Sequence, residues 1–302
     1  MSVVRKIVVN PANKAQRYIL YSNGYIQAVG GALAVPMATA SVNSPPSPNA
    51  PVWQGVDPAA SMQVLNWATP SGWTIDIWGY IWPWGGATGV AGATQPATGG
   101  PEYFFGNNGG ISSPVYGFVI DFKMDPAGGG TGYMLLYNGD VIGVGTGVTA
   151  IAHGPAIPDT AARELQMDWT SKRYWILDNL GRVSGYNGGN SPSVVDTAGN
   201  SFTFPAYVWG RGGLAGGGGF RLYDFSATCK GWVIDQFGRV YRLNTTQDAP
   251  GFQFTPNARE WGDLEIIDDG TSANPLRLVG VTFQGRMFEW VVSTPPTAIA
   301  AE

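Results

Sequence analysis

Apolar and polar residues alternate along this chain in short runs, and one run recurs. Its clearest copies read Gly-Trp-Thr-Ile-Asp-Ile-Trp-Gly (Gly72 to Gly79), Trp-Ile-Leu-Asp-Asn-Leu-Gly (Trp175 to Gly181) and Gly-Trp-Val-Ile-Asp-Gln-Phe-Gly (Gly231 to Gly238). Weaker copies end at Gly24, Gly139 and Gly285, and the last keeps only the glycine. The form is an aromatic, two residues, Asp, two residues, Gly, then another alternating stretch. Alternation over four to eight residues predicts strands, and no segment sustains a helical period over three turns. Self-similarity at a spacing of about 40 to 60 residues marks a repeat architecture.

Turn chemistry explains the polar part of the phrase. Asp is favoured at the first position of a type I turn, where its carboxylate accepts backbone N–H bonds. Gly three residues later supplies the positive φ that closes the hairpin with a bulge. Asp76 with Gly79, Asp178 with Gly181, and Asp235 with Gly238 are therefore expected at hairpin tips. Asn23-Gly24 and Asn138-Gly139 are expected as tight two-residue hairpins. A further apolar run ending in Asp or Asn precedes each tip: Val4 to Asn10, Met62 to Asn66, Tyr116 to Asp121, Leu165 to Asp168, Phe220 to Asp224 and Leu264 to Asp268. The unit is strand, turn, strand, turn, strand, with a looser fourth segment. Such units, repeated radially, are propeller blades. The expectation is an all-β chain, a six-bladed β-propeller over residues 1–292. Blade cores are expected at 3–31, 62–86, 116–147, 165–188, 220–243 and 264–292, with a flexible tail at 293–302.

Stretches rich in Gly, Pro, Ala and Ser separate the units, and three of them hold aromatic islands: Trp53, Tyr103-Phe104-Phe105, and Phe202 to Trp209. These read as outer strands, with ligand-facing loops as the alternative. The densest aromatic group is Trp73, Trp78, Tyr80, Trp82 and Trp84. Tyr80, Trp82 and Trp84 share one strand face by alternation. Packing between blades accounts for them, and so does a sugar-stacking platform. The candidate binding residues are Trp82, Trp84, Tyr103 and Phe104.

Composition narrows the function classes. Charged residues are 13% of the chain, about half the usual share, and the formal net charge is −4. The basic residues are scattered, so a nucleic-acid partner is not expected. No apolar run reaches the length of a membrane span. The stretch Met1 to Lys6 has no apolar core of a secretory signal, and synthesis in the cytoplasm is expected. Cys229 is the single cysteine, which excludes an intramolecular disulfide and reads as a small buried residue. His153 is the single histidine, so multi-His zinc sites are excluded, and it lacks the Gly-x-Ser-x-Gly context of a hydrolase triad. The recurrent Asp residues are explained by turns. Asp121 to Asp125 and Asp268-Asp269 lack the spacing of a calcium loop. Gly143, Gly145 and Gly147 lack the lysine of a phosphate loop. No catalytic residue, metal or cofactor is assigned, and the chain is expected not to be an enzyme.

The Gly-Trp-x-Ile-Asp-x-x-Gly phrase, followed by Pro-Trp-Gly-Gly at Pro83 to Gly86, resembles the propeller repeats common in actinobacterial proteins. Propellers of this kind are similar to minor tail or other virion proteins of phages that infect actinobacteria. The resemblance implies a structural or receptor-binding virion component, located in the tail. Its partners would be other virion proteins and a host cell-surface glycan. A free carbohydrate-binding propeller and a propeller enzyme acting on glycans from its central funnel are the rivals. Far-UV circular dichroism should show less than about a quarter helix, the globular average being near a third; a larger helical signal would overturn the all-β assignment.

Overall fold

In a computed structural model the alternating runs are strands. The structure describes residues 2–40, 48–77, 79–89, 102–103, 119–127, 130–136, 139–145, 148, 162–178, 181–195, 218–235, 240–245, 261–269, 276–282, 284–291 and 297–299. There is no helix among the described residues, and so none long and apolar enough to cross a membrane. The chain divides into two compact units, Met1–Ala156 and Ile157–Glu302.

The first unit holds three antiparallel meanders. β1 (Val4–Val9), β2 (Arg17–Tyr21) and β3 (Ile26–Val29) form one sheet. β4 (Met37–Ala40) and β5 (Ala50–Trp53) make a short parallel pair. β6 (Ala59–Asn66), β7 (Ser71–Asp76), β8 (Tyr80–Trp84) and β9 (Glu102–Tyr103) follow in order, then β10 (Val119–Met124), β11 (Gly132–Leu136) and β12 (Val141–Val144). β9 is the outer strand expected at Tyr103. The expected island at Trp53 instead pairs with β4, and Phe104, Phe105 and Phe202 to Trp209 lie outside the described residues.

The second unit repeats the plan. β13 (Ala162–Met167), β14 (Tyr174–Asp178) and β15 (Val183–Tyr186) form a meander. β16 (Val194–Val195) joins the far edge of the next sheet, ordered β16-β19-β18-β17, where β17 is Gly218–Asp224, β18 Lys230–Asp235 and β19 Val240–Leu243. β20 (Trp261–Asp269), β21 (Leu276–Thr282), β22 (Met287–Val291) and β23 (Thr297–Ile299) pair in sequence. β23 falls within the stretch expected as a flexible tail, where its backbone pairs with β22. Four sheets begin two or three residues before the expected cores, at Ala59, Ala162, Gly218 and Trp261. Bulges at Ala59/Ser61, Ala162/Glu164 and Trp261/Asp263 shift the alternation out of phase there, which hides the strand start from a period-of-two reading.

The phrase that recurs in sequence is one turn in space. The N–H of Gly24, Gly79, Gly139, Gly181 and Gly285 donates to the carbonyl three residues earlier, at 2.8 to 3.1 Å. Their φ angles lie between +75° and +92°. Gly238 lies outside the described residues, and so does Asn138. Gly24 and Gly139 therefore close the same three-residue loop as the others, not the two-residue hairpin expected from Asn-Gly. Register decides this: Leu20 faces Ile26, and the Tyr21 N–H donates to the Tyr25 carbonyl at 2.8 Å. At the sixth copy, Thr282 does the work of Asp. Its Oγ1 accepts the Arg286 N–H at 3.1 Å, as Asp76 accepts that of Tyr80 and Asp178 that of Arg182.

Five of the other hairpin tips are Asx turns. Asn10, Asn66, Asp125, Asp168 and Asp224 each accept the N–H two residues on. The third run thus ends at Asp125. Asp121, the end expected from sequence, lies inside β10.

A spacing of fifteen residues locks five of the sheets. The third strand ends on Gly30, Gly85, Gly145, Asn187 or Asn244, all with positive φ. A Cβ at Gly30, Gly85 or Gly145 would meet the carbonyl oxygen of Ala15, Pro70 or Gly130 at 1.8, 1.9 or 2.6 Å. Asn187 and Asn244 donate their side-chain amides to the equivalent carbonyls of Lys172 and Cys229, at 3.0 and 3.2 Å. The middle-strand aromatics obey the same spacing. Tyr18, Trp73 and Trp175 donate to the carbonyls of Leu33, Thr88 and Asn190.

Both faces of these sheets are buried. One cluster joins Tyr18 and Leu20 of the first sheet to Met62, Trp82 and Trp84 of the next. Another joins Trp73 and Ile75 to Phe122 and Met134. In the second unit Trp175 and Leu177 pack with Phe220 and Val233. A tip residue covers two of these seams: Trp67 stacks on Tyr18 at 4.7 Å, and Phe225 meets Trp175 edge-on at 6.0 Å.

Gly30→Val and Gly85→Val should each lose about 2 kcal/mol or more, because the new Cβ meets a carbonyl and φ is positive. Asn187→Gly should lose about 1 kcal/mol, the worth of its hydrogen bond. Urea unfolding midpoints read both; equal losses at the two kinds of position would refute the role of the close carbonyl.

Candidate functional site

The first strand of each sheet carries a polar row that the composition did not suggest. Counting from the residue opposite the last position before the glycine turn, the row reads Lys6, Ser61 and Asp121 in the first unit and Glu164, Gly219 and Asp263 in the second. Two residues on stand Val8, Gln63 and Lys123, then Gln166, Arg221 and Glu265. Alternation puts both positions on one face of the strand. Within the first unit β6 lies between β1 and β10; within the second β17 lies between β13 and β20. The rows are therefore neighbours.

In the first unit, polar side chains replace a strand-to-strand ladder. The Gln63 amide accepts the Met124 N–H at 2.7 Å and donates to the Met124 carbonyl at 2.8 Å. The Ser61 hydroxyl donates to buried Asp121 at 2.7 Å, and Lys123 lies 3.4 Å from the same carboxylate. The second unit repeats the device. Gln166 donates to the Phe220 carbonyl at 3.2 Å, and Glu164 accepts the Phe220 N–H at 2.9 Å.

Arg221 is the centre of the second unit's row, and it is 8% exposed. It pairs with Glu164, donates from Nε to Glu265 at 2.7 Å, and reaches Asp263 at 3.8 Å. Burial alone would lower its pKa, but the carboxylates of Glu164, Glu265 and Asp263 outweigh burial and hold it well above the ordinary arginine value. Gly219 makes room for this group, since a Cβ there would lie 2.6 Å from a Glu164 carboxylate oxygen. Three carboxylates around one guanidinium make an architectural ion cluster. No set of three or more His, Cys, Asp or Glu among the described residues is arranged to hold a metal.

The residues singled out from sequence fall in different places. Trp82 and Trp84 are 3% and 0% exposed, so they offer no surface to a ligand. Their indole N–H groups donate to Asp76 and to Thr74, and Trp53 meets Trp82 edge-on at 5.4 Å. Of the two sequence readings, packing between sheets describes them. Tyr103 is in β9, and Phe104 and His153 lie outside the described residues. Asp76 and Asp178 hold turns; the Asp178 carboxylate also takes the Arg182 guanidinium at 2.6 Å. Asp235 ends β18. Cys229 is fully buried, and burial, then the Asp224 charge, pushes its thiol up to about 12. The polar rows went unread because they sit next to the bulges, although Asp121/Lys123 and Asp263/Glu265 show the same polar-apolar-polar signal.

No protein-family model and no curated protein matches the chain. Among solved structures, a catalytically inactive virginiamycin B lyase from Staphylococcus aureus, crystallised with quinupristin, aligns with all of this chain and 85% of its own at 12% identity and a TM-score of 0.36. A likeness that weak carries no argument about fold or function.

Arg221→Met should destabilise the second unit by about 3 to 5 kcal/mol, because it strands buried carboxylates without a counter-charge. Buried Glu164 and Asp263, left without their counter-charge, are then more easily accommodated in the neutral form. The variant should regain stability as pH falls from 7 to 5, while the parent does not. Urea titrations at both pH values check this, and a pH-independent loss would contradict it.

Proposed function

We propose that this chain is a six-bladed β-propeller acting as a non-enzymatic structural or receptor-binding component of a phage virion. In this reading it is a minor tail protein that contacts other tail subunits or the host surface. The observation that carries the reading is the employment of the recurrent polar groups in architecture. Asp76 and Asp178 close turns, Gln63 and Gln166 tie neighbouring strands, and Glu164, Asp263 and Glu265 surround Arg221. Side chains held this way give rigidity and leave surface loops to do the recognising.

The propeller reading is supported by the repeated meander, by first strands lying side by side within each unit, and by faces buried against the next sheet. The virion reading is supported by the resemblance of the Gly-Trp-x-Ile-Asp-x-x-Gly phrase to actinobacterial propeller repeats. Mass spectrometry of particles purified from the source organism tests it. Peptides of this chain should band with the particles through a density gradient. Recovery of the chain only in the particle-free fraction would overturn the proposal.

A further inference from the structure

Four large apolar side chains are exposed among the described residues: Tyr25, Leu33, Val56 and Tyr223. Two of them belong to one place. Tyr25 is 44% exposed and stands at the glycine turn between β2 and β3. Its ring lies 5.8 Å from that of Tyr21, tilted by 50°. The strap of residues 54–58 is tied to this turn at both ends. The Trp53 N–H donates to the Asn23 carbonyl at 2.8 Å, and the Ala59 N–H donates to the Ser22 carbonyl at 2.9 Å. Residues 54–57 of the strap are exposed, and Val56 is 44% exposed.

The turn departs from its equivalents here. Asp76 and Asp178 use the first turn position to bind an indole N–H and a guanidinium. The first sheet has Tyr21 at that position, and its hydroxyl donates to the Gln27 side chain at 2.9 Å. The fold does not need this: Leu136 fills the same position in the third sheet with the same turn geometry. A tyrosine pair beside amides, at a turn whose first position carries neither the N–H-accepting side chain of Asp76, Asp178 and Thr282 nor the aliphatic chain of Leu136, is a local feature that the repeat does not explain.

We propose that the Tyr21–Tyr25 turn and its strap bind a neutral sugar ring. The apolar faces of the tyrosines stack on the C–H face of a pyranose, while the Gln27 and Asn23 amides and the Asp57 carboxylate meet its hydroxyls. The Asp57 carboxylate is offset by the Arg5 guanidinium and accepts the Ser2 hydroxyl at 3.3 Å, so the strap holds no unbalanced charge that would recruit a charged sugar. The apolar part of the patch selects a sugar over a protein, since a stable protein interface covers about 800 Å² on each partner and only two large apolar side chains, Tyr25 and Val56, are exposed here. The inference rests on the receptor-binding reading only for the source of the glycan, a host surface.

The test is saturation-transfer NMR of the full chain with neutral gluco-, manno- and galacto-oligosaccharides, on the parent, Tyr25→Ala and Tyr25→Phe. Transfer to at least one series is expected, with affinity falling about tenfold or more in Tyr25→Ala and kept within about threefold in Tyr25→Phe. Circular dichroism should be unchanged, since Tyr25 is exposed. No transfer from any series overturns the proposal, and so does transfer that Tyr25→Ala leaves intact. Loss of a particle protein's binding in Tyr25→Ala, without sugar binding, also overturns it and makes the turn a protein contact. Particle banding is read separately, so a chain that bands with particles and binds no sugar defeats this site alone. A chain that binds sugar through Tyr25 and does not band defeats the virion reading alone.

Discussion

A three-stranded meander cannot stand by itself, and everything in this chain answers that constraint. Its two faces must be covered, and the open edge of its first strand must find partners for its backbone groups. The faces are covered by the next sheet, through Trp82 and Trp84 against Tyr18 and Leu20, and through Phe220 against Trp175. The edges are served by side chains. Gln63 bonds both the N–H and the carbonyl of Met124, and Glu164 with Gln166 does the same for Phe220. Polar residues can therefore be buried at the first strands without orphaning them, because each offers a backbone group what a further strand would have offered.

Within a sheet, shape is fixed by two close approaches. The glycine turn sets the reversal between the second and third strands. The positive-φ residue at the end of the third strand then meets the carbonyl fifteen residues before it. Glycine serves where the carbonyl leaves no room for a Cβ, and asparagine where the amide can reach the oxygen. The two residues look unrelated in sequence and are one device in space. The same logic makes Thr282 a substitute for Asp76, since a hydroxyl and a carboxylate both accept the N–H four residues on.

Most of the fold was legible because turns advertise themselves. Asp-x-x-Gly at Asp76 and Asp178 and the Asx tips at Asn10, Asn66, Asp168 and Asp224 gave six of the described reversals, and the aromatic of the phrase marked the buried middle strand at Trp73 and Trp175. What misled was anything that broke the period of two. Bulges at Ala59, Ala162 and Trp261 hid strand starts, and Asp121 looked like the end of a run because a buried carboxylate was not expected inside one. Asn-Gly at Asn23-Gly24 was compatible with two loop lengths, and only the register of Leu20 with Ile26 chose between them.

The candidate site was less legible, for a reason rooted in the same architecture. Alternation placed Tyr80, Trp82 and Trp84 on one face correctly but could not say whether that face meets water. In a sheet packed on both sides neither face does, so aromatic density there measures the depth of the seam and not the presence of a ligand. The indole N–H bonds of Trp82 and Trp84 to Asp76 and Thr74 show the same thing from the polar side, since an indole that must serve a ligand is not tied inside its own sheet. The informative residue in a repeat is the one that breaks the pattern at an exposed position. Where other copies of the turn carry Asp, Leu or Thr, the first carries Tyr21, with Tyr25 out in solvent beside it. Repetition explains the core; recognition has to be sought where repetition fails and water is present.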